Sequence, residues 1–180
     1  MKVGLVRHFE VLQRYTSHQW MSSAEYQAWV NAYDTSEIRI GRVDLGATEW
    51  GVCYCSDLPR AHKTAQAIYA GPLVATPLLR EIPIGPVFHS ARRWPFAFWE
   101  VVGRLAWYRG HSSQVEGRAQ TLARVRAVLA QALARPEVNA LIVSHGGLMW
   151  CLQPELERQG FKGEPFSKAE NGRLYVYERS

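Results

Sequence analysis

Long apolar runs and cysteine are both scarce in this sequence. No segment of its 180 residues approaches the ~18 consecutive apolar residues that a membrane-spanning helix needs. The first apolar run ends at Arg7, too early for the hydrophobic region of a secretory signal peptide. Three cysteines are too few for a disulfide-stapled scaffold. These absences argue against a membrane protein or a secreted one, and we expect a cytoplasmic protein without membrane contact.

The cysteines also lack the spacing of a metal or redox site. Cys53 and Cys55 are separated by one residue within an apolar run, and Cys151 follows far along the chain. Zinc sites and thioredoxin-type motifs use a wider spacing between paired cysteines. We therefore predict three small, buried thiols in a reducing compartment and no metal site.

Runs of like charge, internal repeats and low-complexity tracts are absent as well. The 21 basic and 16 acidic side chains give a net charge of +5, but the arginines are scattered rather than gathered in a stripe, and no nucleic-acid-binding motif is present. A positive field also attracts small anions. With 47% hydrophobic and 21% charged residues, the chain has the composition of one ordinary globular domain, residues 1–180. We expect this domain to bind a small anionic ligand and no nucleic acid.

Short apolar strands alternate with helical patterns along the chain. Apolar runs at 3–6, 52–55 and 140–143 are typical of buried strands, because strands of a parallel sheet are covered on both faces. Apolar residues recur at helical spacing between 114 and 135, where Pro136 ends the helix. Further helices are predicted at 23–33 and 59–70, and strands at 73–75 and 173–178. This alternation favours an α/β fold.

Residues 86–111 are unusually aromatic. Six aromatic side chains lie within fifteen positions, interleaved with arginines. Such a segment can stack on nucleic-acid bases, or it can form an amphipathic helix packed over one end of a domain. We favour the second interpretation and predict a helical cap insertion near the active site.

Polar side chains follow three of the predicted strands. Arg7 and His8 end the first, Arg60 comes shortly after the second, and His145 ends the third, followed by Gly146. Ligand crevices in open α/β sheets form at the carboxyl ends of strands. Arginine suits phosphate, imidazole can act as nucleophile, acid or base, and exposed amides at a helix start attract anions. The sequence therefore predicts a phosphate pocket at this edge.

The same segments resemble the histidine phosphatase superfamily, which includes the cofactor-dependent phosphoglycerate mutases. The resemblance is carried by Arg-His behind the first strand, by Ser-Asp-Leu-Pro-Arg-Ala with a following Thr-Ala, and by Val-Ser-His-Gly-Gly. Leu-Arg-Glu-Ile followed by Gly85 is similar to the family's acid-bearing stretch, and Glu116 with Arg124 to its Gly-Glu-Ser segment and following arginine. The resemblance implies a three-layer α/β/α fold with a mostly parallel central sheet.

It also implies a mechanism. His8 would attack phosphorus and form a phosphohistidine that water later hydrolyses. Arg7, Arg60, His145 and the amide of Gly146 would hold the phosphoryl oxygens, with His145 also counted among the catalytic residues. Glu81 would protonate the leaving oxygen and then deprotonate water. No metal or other cofactor is implied, and the expected partner is a small phosphorylated substrate.

Two departures shift the interpretation from mutase to phosphatase. Phe9 stands where the family usually has glycine, and the mutases' asparagine- and glycine-rich segment is not recognisable in residues 11–20. Phe9 and Glu116 are candidate substrate contacts. We favour a metal-independent phosphatase for phosphomonoesters or a phosphorylated protein side chain. A mutase-type phosphotransferase and a non-catalytic phospholigand-binding module remain as alternatives.

Overall fold

One mixed sheet organises the molecule. The computed structural model describes residues 1–13 and 18–179, so residues 11–20, where the mutases' segment is not recognisable, lie partly outside the described residues. Within them, six strands form the central sheet, and two short strands, β2 and β5, pair separately. The strands are β1 (Lys2–Arg7), β2 (Trp20–Met21), β3 (Val52–Ser56), β4 (Leu73–Thr76), β5 (Trp94–Pro95), β6 (Ala140–Ser144), β7 (Lys162–Gly163) and β8 (Leu174–Glu178).

The sheet is mostly parallel, as predicted. Its order is β4-β3-β6-β1-β8-β7, with β1, β3, β4 and β6 parallel and β8 antiparallel to β1. Arg7 of β1 pairs with Ser144 of β6, and Cys55 of β3 pairs with Val143. The carboxyl ends of three neighbouring strands are therefore level, which brings the residues that follow them to one edge.

Helices cover both faces of the sheet. The described residues contain five α-helices: α1 (Ser23–Thr35), α2 (Pro59–Ile68), α3 (Phe96–Arg109), α4 (Arg118–Ala132) and α5 (Gly146–Arg158). A short 3₁₀ turn, Pro77–Leu79, follows β4. None of these helices has the length and hydropathy of a bilayer-spanning segment.

The strands alternate strictly between two cores. Val3 and Leu5 belong to the cluster formed with α4 and α5, whereas Val6 belongs to the cluster formed with α2. This period of two is what a pleated strand imposes. Each fully buried side chain of this size stabilises the fold by about 1.5–3 kcal/mol. The continuous apolar runs in the sequence thus reflect a sheet with two covered faces.

Helix ends differ from the predicted ones for local reasons. Ser22 and Glu25 form a capping box at the start of α1, so this start agrees with the prediction. The start of α4 is Arg118 rather than residue 114, because the Gln114 side chain bonds the backbone N–H and C=O of Gly85 instead of entering the helix. These two bonds to Gly85 hold the residues around Gln114 in a turn that precedes the helix.

The aromatic segment is helical from Phe96 to Arg109 and packs there against α1. Tyr26 of α1 joins Phe96 and Trp99 of α3 in a buried cluster, and the Trp99 indole donates to the Met21 carbonyl at 2.9 Å. The β2–β5 pair, which the sequence did not reveal, ties this helix to the segment before α1. The packing matches the amphipathic-helix interpretation, and the role of 86–111 as a cap stays a prediction.

Candidate active site

The level strand ends bring two histidines together. The His8 backbone N–H donates to the Ser144 carbonyl at 2.9 Å, which ties the end of β1 to the end of β6. The imidazole rings of His8 and His145 then lie with centroids 5.0 Å apart and planes tilted by 58°. Two residues 137 positions apart in the printed sequence thus form one site.

Hydrogen bonding fixes the tautomer of His8. Its Nδ1 lies 2.6 Å from the carbonyl oxygen of Phe9, which can only accept, so Nδ1 carries the proton and Nε2 keeps its lone pair. The side chain is 2% exposed. Burial, followed by the positive charge of Arg60 and then of Arg7, lowers the pKa of His8 to about 3. His8 is therefore a neutral imidazole with an unprotonated Nε2.

His145 is held by partners at both nitrogens. Arg60 donates through Nε to Nδ1 at 3.1 Å, so Nε2 bears the proton and donates to the Ser56 hydroxyl at 2.8 Å. Burial, then the charge of Arg60, lowers the pKa of His145 well below its usual value. A direct contact between His145 and a phosphoryl oxygen thus requires one of these bonds to be exchanged.

Arg60 is the most buried cation of the site. It is 1% exposed, and beyond His145 its Nη1 donates to the Asp34 carboxylate at 2.8 Å. The guanidinium carbon lies 5.1 Å from the centre of the Tyr33 ring. A buried charge needs a counter-ion, and here the last turn of α1 supplies it.

Arg7 is bound less completely. Its Nη1 donates to the Ala169 carbonyl at 2.9 Å, whereas its buried Nε has no hydrogen-bond partner among the described residues. Gly146 leaves room for it, because a Cβ there would lie 3.2 Å from the Arg7 guanidinium carbon. An unpartnered buried N–H beside the His8 imidazole fits a ligand that accepts hydrogen bonds.

A loop before β8 holds the Arg7-His8 pair from the side. The Asn171 side-chain amide donates to the His8 carbonyl at 2.7 Å, and the Gly172 N–H donates to the Arg7 carbonyl at 2.9 Å. These contacts are not predictable from the sequence, since a lone Asn-Gly pair signals a turn and does not indicate which distant backbone it will bond.

The Glu81 side chain contacts the first turn of α5. Its carboxylate accepts from the Gly147 N–H at 3.1 Å and from the Leu148 N–H at 3.0 Å, with a further bond from Ile82 at 3.0 Å. A Cβ at position 147 would lie 2.7 Å from Glu81 Oε1. The helix start that the sequence marked as a seat for an anion is therefore held by a carboxylate of the chain itself.

Glu116 contacts an arginine rather than the histidines. Its carboxylate pairs with Arg124 at 2.7 Å and accepts from the Thr121 hydroxyl at 2.9 Å. Arg124 also donates to the carbonyls of Leu78 at 2.9 Å and Arg80 at 2.7 Å. The pair thus fixes the segment that presents Glu81, and a substrate contact of Glu116 stays a prediction.

Phe9 packs into a small cluster of its own. The ring is 4% exposed and joins Val11 and Ile38, and a Cβ on Gly172 would lie 3.0 Å from it. Positive φ occurs among the described residues only at glycines, so Phe9 replaces the family glycine without backbone strain. Substrate contact by Phe9 remains a prediction.

The site therefore combines two neutral imidazoles, two arginines and two carboxylates, Asp34 and Glu81, at the carboxyl edge of the sheet. Among the described residues, no group of three or more His, Cys, Asp or Glu side chains is arranged to hold a metal ion. The sequence model described as histidine phosphatase superfamily (branch 1) matches residues 39–179. The chain belongs to the histidine phosphatase superfamily. Comparison with curated protein sequences returned no match.

Solved structures share the fold of this histidine phosphatase superfamily member at low identity. The α-ribazole phosphatase from Shigella flexneri is 20% identical, with a TM-score of 0.56 over 98% of this chain and 89% of that one. Mycobacterial glucosyl-3-phosphoglycerate phosphatase is 20% identical, with a TM-score of 0.57 over 97% of this chain and 88% of that one. The structure of the same mycobacterial enzyme complexed with VO3 is also 20% identical, with a TM-score of 0.57 over 97% of this chain and 91% of that one. These likenesses confirm the α/β fold.

Proposed function

We propose that this superfamily member is a phosphatase that hydrolyses phosphomonoesters through a phosphohistidine on His8. The observation that carries the proposal is the state of His8. Its Nδ1 proton is held by the Phe9 carbonyl, its pKa is lowered to about 3, and its Nε2 therefore has a lone pair available at neutral pH. A neutral, oriented imidazole is what nucleophilic attack on phosphorus requires.

The cations beside His8 suit a phosphoryl group in transfer. Arg7 has an unpartnered buried Nε, and the Gly146 N–H begins α5 nearby. Arg60 and the Nε2–H of His145 supply further donors once they exchange their present partners. Donors positioned around the equatorial oxygens stabilise the charge that spreads over them in the transition state.

The reaction then divides into two displacements. His8 Nε2 forms a bond to phosphorus as the bond to the leaving oxygen breaks, and the protonated form of Glu81 gives its proton to this oxygen and becomes a carboxylate. In the second step Glu81 takes a proton from water, whose oxygen displaces His8 and releases inorganic phosphate. To act in this way Glu81 leaves at least one of its bonds to the α5 amides.

The likeness of the fold to phosphatases supports a phosphatase over the mutase alternative. Two solved neighbours are phosphatases of a ribazole phosphate and a glucosyl-phosphoglycerate, which favours a small phosphorylated metabolite as substrate.

The test is turnover of an aryl phosphate such as p-nitrophenyl phosphate, combined with trapping of the intermediate. Wild-type protein should release inorganic phosphate, and an alkali quench of a labelled substrate should show a base-stable, acid-labile phosphohistidine. His8→Asn should lower kcat by at least about a thousandfold, because it removes the nucleophile. A half-buried histidine of α2, His62→Asn, provides the matched control, because it lies outside both the histidine pair and the predicted cap. Retained turnover in His8→Asn would show that another group is the nucleophile.

A further inference from the structure

The Asp34 carboxylate occupies a hydrogen-bond donor of Arg60 that a phosphoryl group would use. Arg60 Nη1 lies 2.8 Å from Asp34 Oδ1, and the two side chains differ greatly in burial, at 1% and 45% exposed. Another Arg60 hydrogen bond, from Nε to His145 Nδ1, connects the guanidinium directly to the histidine pair. Asp34 therefore lies at the boundary between the solvent and the cationic core of the site.

The position of Asp34 is unfavourable for the helix that carries it. Asp34 lies in the last turn of α1, which ends at Thr35 and contains no basic side chain in that turn. A carboxylate near a helix C-terminus is repelled by the partial negative charge of the unpaired carbonyls. The contact with Arg60 offsets this repulsion, so the carboxylate is explained by the site rather than by the helix.

The difference in burial decides which partner can move. Arg60 is enclosed and bonded to His145, so it cannot follow Asp34 outward without breaking that bond. Asp34 is almost half exposed and can exchange Arg60 for water by a side-chain rotation. An arriving phosphoryl oxygen, which carries more negative charge than a carboxylate oxygen, can then take the Nη1 donor.

We propose that Asp34 is an internal counter-ion that substrate phosphate displaces from Arg60, and that this competition sets the affinity of the site for anions. The inference rests on the proposed function, since it assigns the specificity of that same site. It explains how a buried arginine is kept in place between turnovers. It also disfavours singly charged carboxylate metabolites, which offer Arg60 nothing that Asp34 does not already supply.

The test measures binding and turnover separately in Asp34→Asn. The substitution keeps the size of the side chain and removes its charge, so the inhibition constant for inorganic phosphate and the KM for an aryl phosphate should both fall by about three- to tenfold. At a fixed phosphate concentration the ligand should raise the Tm of Asp34→Asn more than that of wild type, because tighter binding stabilises the folded state more. A carboxylate that only supports the fold would not improve phosphate affinity when removed.

Glu37→Gln is the matched control. Glu37 follows the same helix and pairs with Lys63 of α2 at 2.7 Å. Its substitution therefore removes an equal charge from the same α1–α2 boundary without changing a partner of Arg60. Its phosphate affinity should equal that of wild type. An unchanged or weaker phosphate affinity in Asp34→Asn, or an equal gain in Glu37→Gln, overturns the role of Asp34. A wild-type protein that neither binds phosphate nor hydrolyses the ester overturns the proposed function itself.

Discussion

The two arginines of the site follow the same kind of strand end and are held in different ways. Arg60 is enclosed, with a carboxylate at Nη1 and an imidazole at Nε. Arg7 is half-buried, with one backbone carbonyl at Nη1 and a buried Nε that has no partner within the described residues. One arginine is thus part of the framework as well as of the site, whereas the other is poised for a ligand.

The difference follows from what each arginine must balance. An arginine with almost no exposure loses its hydration, so it remains charged only if the protein supplies acceptors. Asp34 and His145 do this for Arg60. Arg7 keeps some contact with water, and the carbonyl of Ala169 is sufficient. We therefore expect phosphate to bind mainly through Arg7, whereas Arg60 must first be released by Asp34.

Truncation of the two arginines should separate these roles most clearly. Arg60→Met should lower the free energy of unfolding by about 1–3 kcal/mol, because it leaves the buried His145 Nδ1 unpaired and disturbs a packed site. Arg7→Met should lower it by less than about 1 kcal/mol, since one hydrogen bond is lost. Both should reduce kcat/KM by about a hundredfold or more. Urea denaturation and steady-state kinetics check this, and equal losses of stability would break the contrast.

Much of this arrangement could be predicted from the sequence. The strand-loop-helix order placed Arg7, His8, Arg60 and His145 at one sheet edge, because parallel strands with continuous apolar runs leave few other topologies. The register of β1 against β6, which places the His8 ring in contact with the His145 ring, then follows from the fold.

The remaining features depend on contacts with no local signal. Asp34 follows the helix predicted at 23–33, where no sequence pattern signals a contact with a distant arginine, and the bond from Asn171 to the His8 carbonyl joins segments 163 residues apart. Glu81 is a candidate acid because its motif resembles that of the family, whereas its place on the amides of α5 depends on how β4 and β6 are ordered in the sheet. Tertiary pairing decides such contacts, and a single sequence does not encode them in any short pattern.

The adjacent glycines of α5 offer a finer version of the same comparison. A Cβ at 146 would meet the Arg7 guanidinium at 3.2 Å, whereas a Cβ at 147 would meet Glu81 Oε1 at 2.7 Å. Gly146→Ala should therefore weaken phosphate binding about tenfold through Arg7. Gly147→Ala should displace the proton donor and, like Glu81→Gln, slow alkyl phosphates more than aryl phosphates, because poor leaving groups need the proton most. Kinetics over a series of leaving groups measures this. The same pattern in both variants would show that the glycines do not serve separate groups.

The smallest expected difference between the two arginines concerns the pH dependence of stability. The pKa of His8 is lowered to about 3 and that of His145 is lowered too, whereas an unfolded histidine titrates near ~6.5. The unfolded chain thus binds more protons in this window, so the contribution of His8 to stability is complete above about pH 6.5 and declines toward pH 3, by up to about 1.4 kcal/mol per pH unit. The lowered pKa of His145 acts in the same direction. Burial is the main cause for His8, and Arg60 contributes more than Arg7. Arg60→Met should therefore reduce the slope of unfolding free energy against pH between 4 and 6 more than Arg7→Met does. If Arg7→Met changed the slope more, Arg60 would not be the cation that keeps the nucleophile neutral.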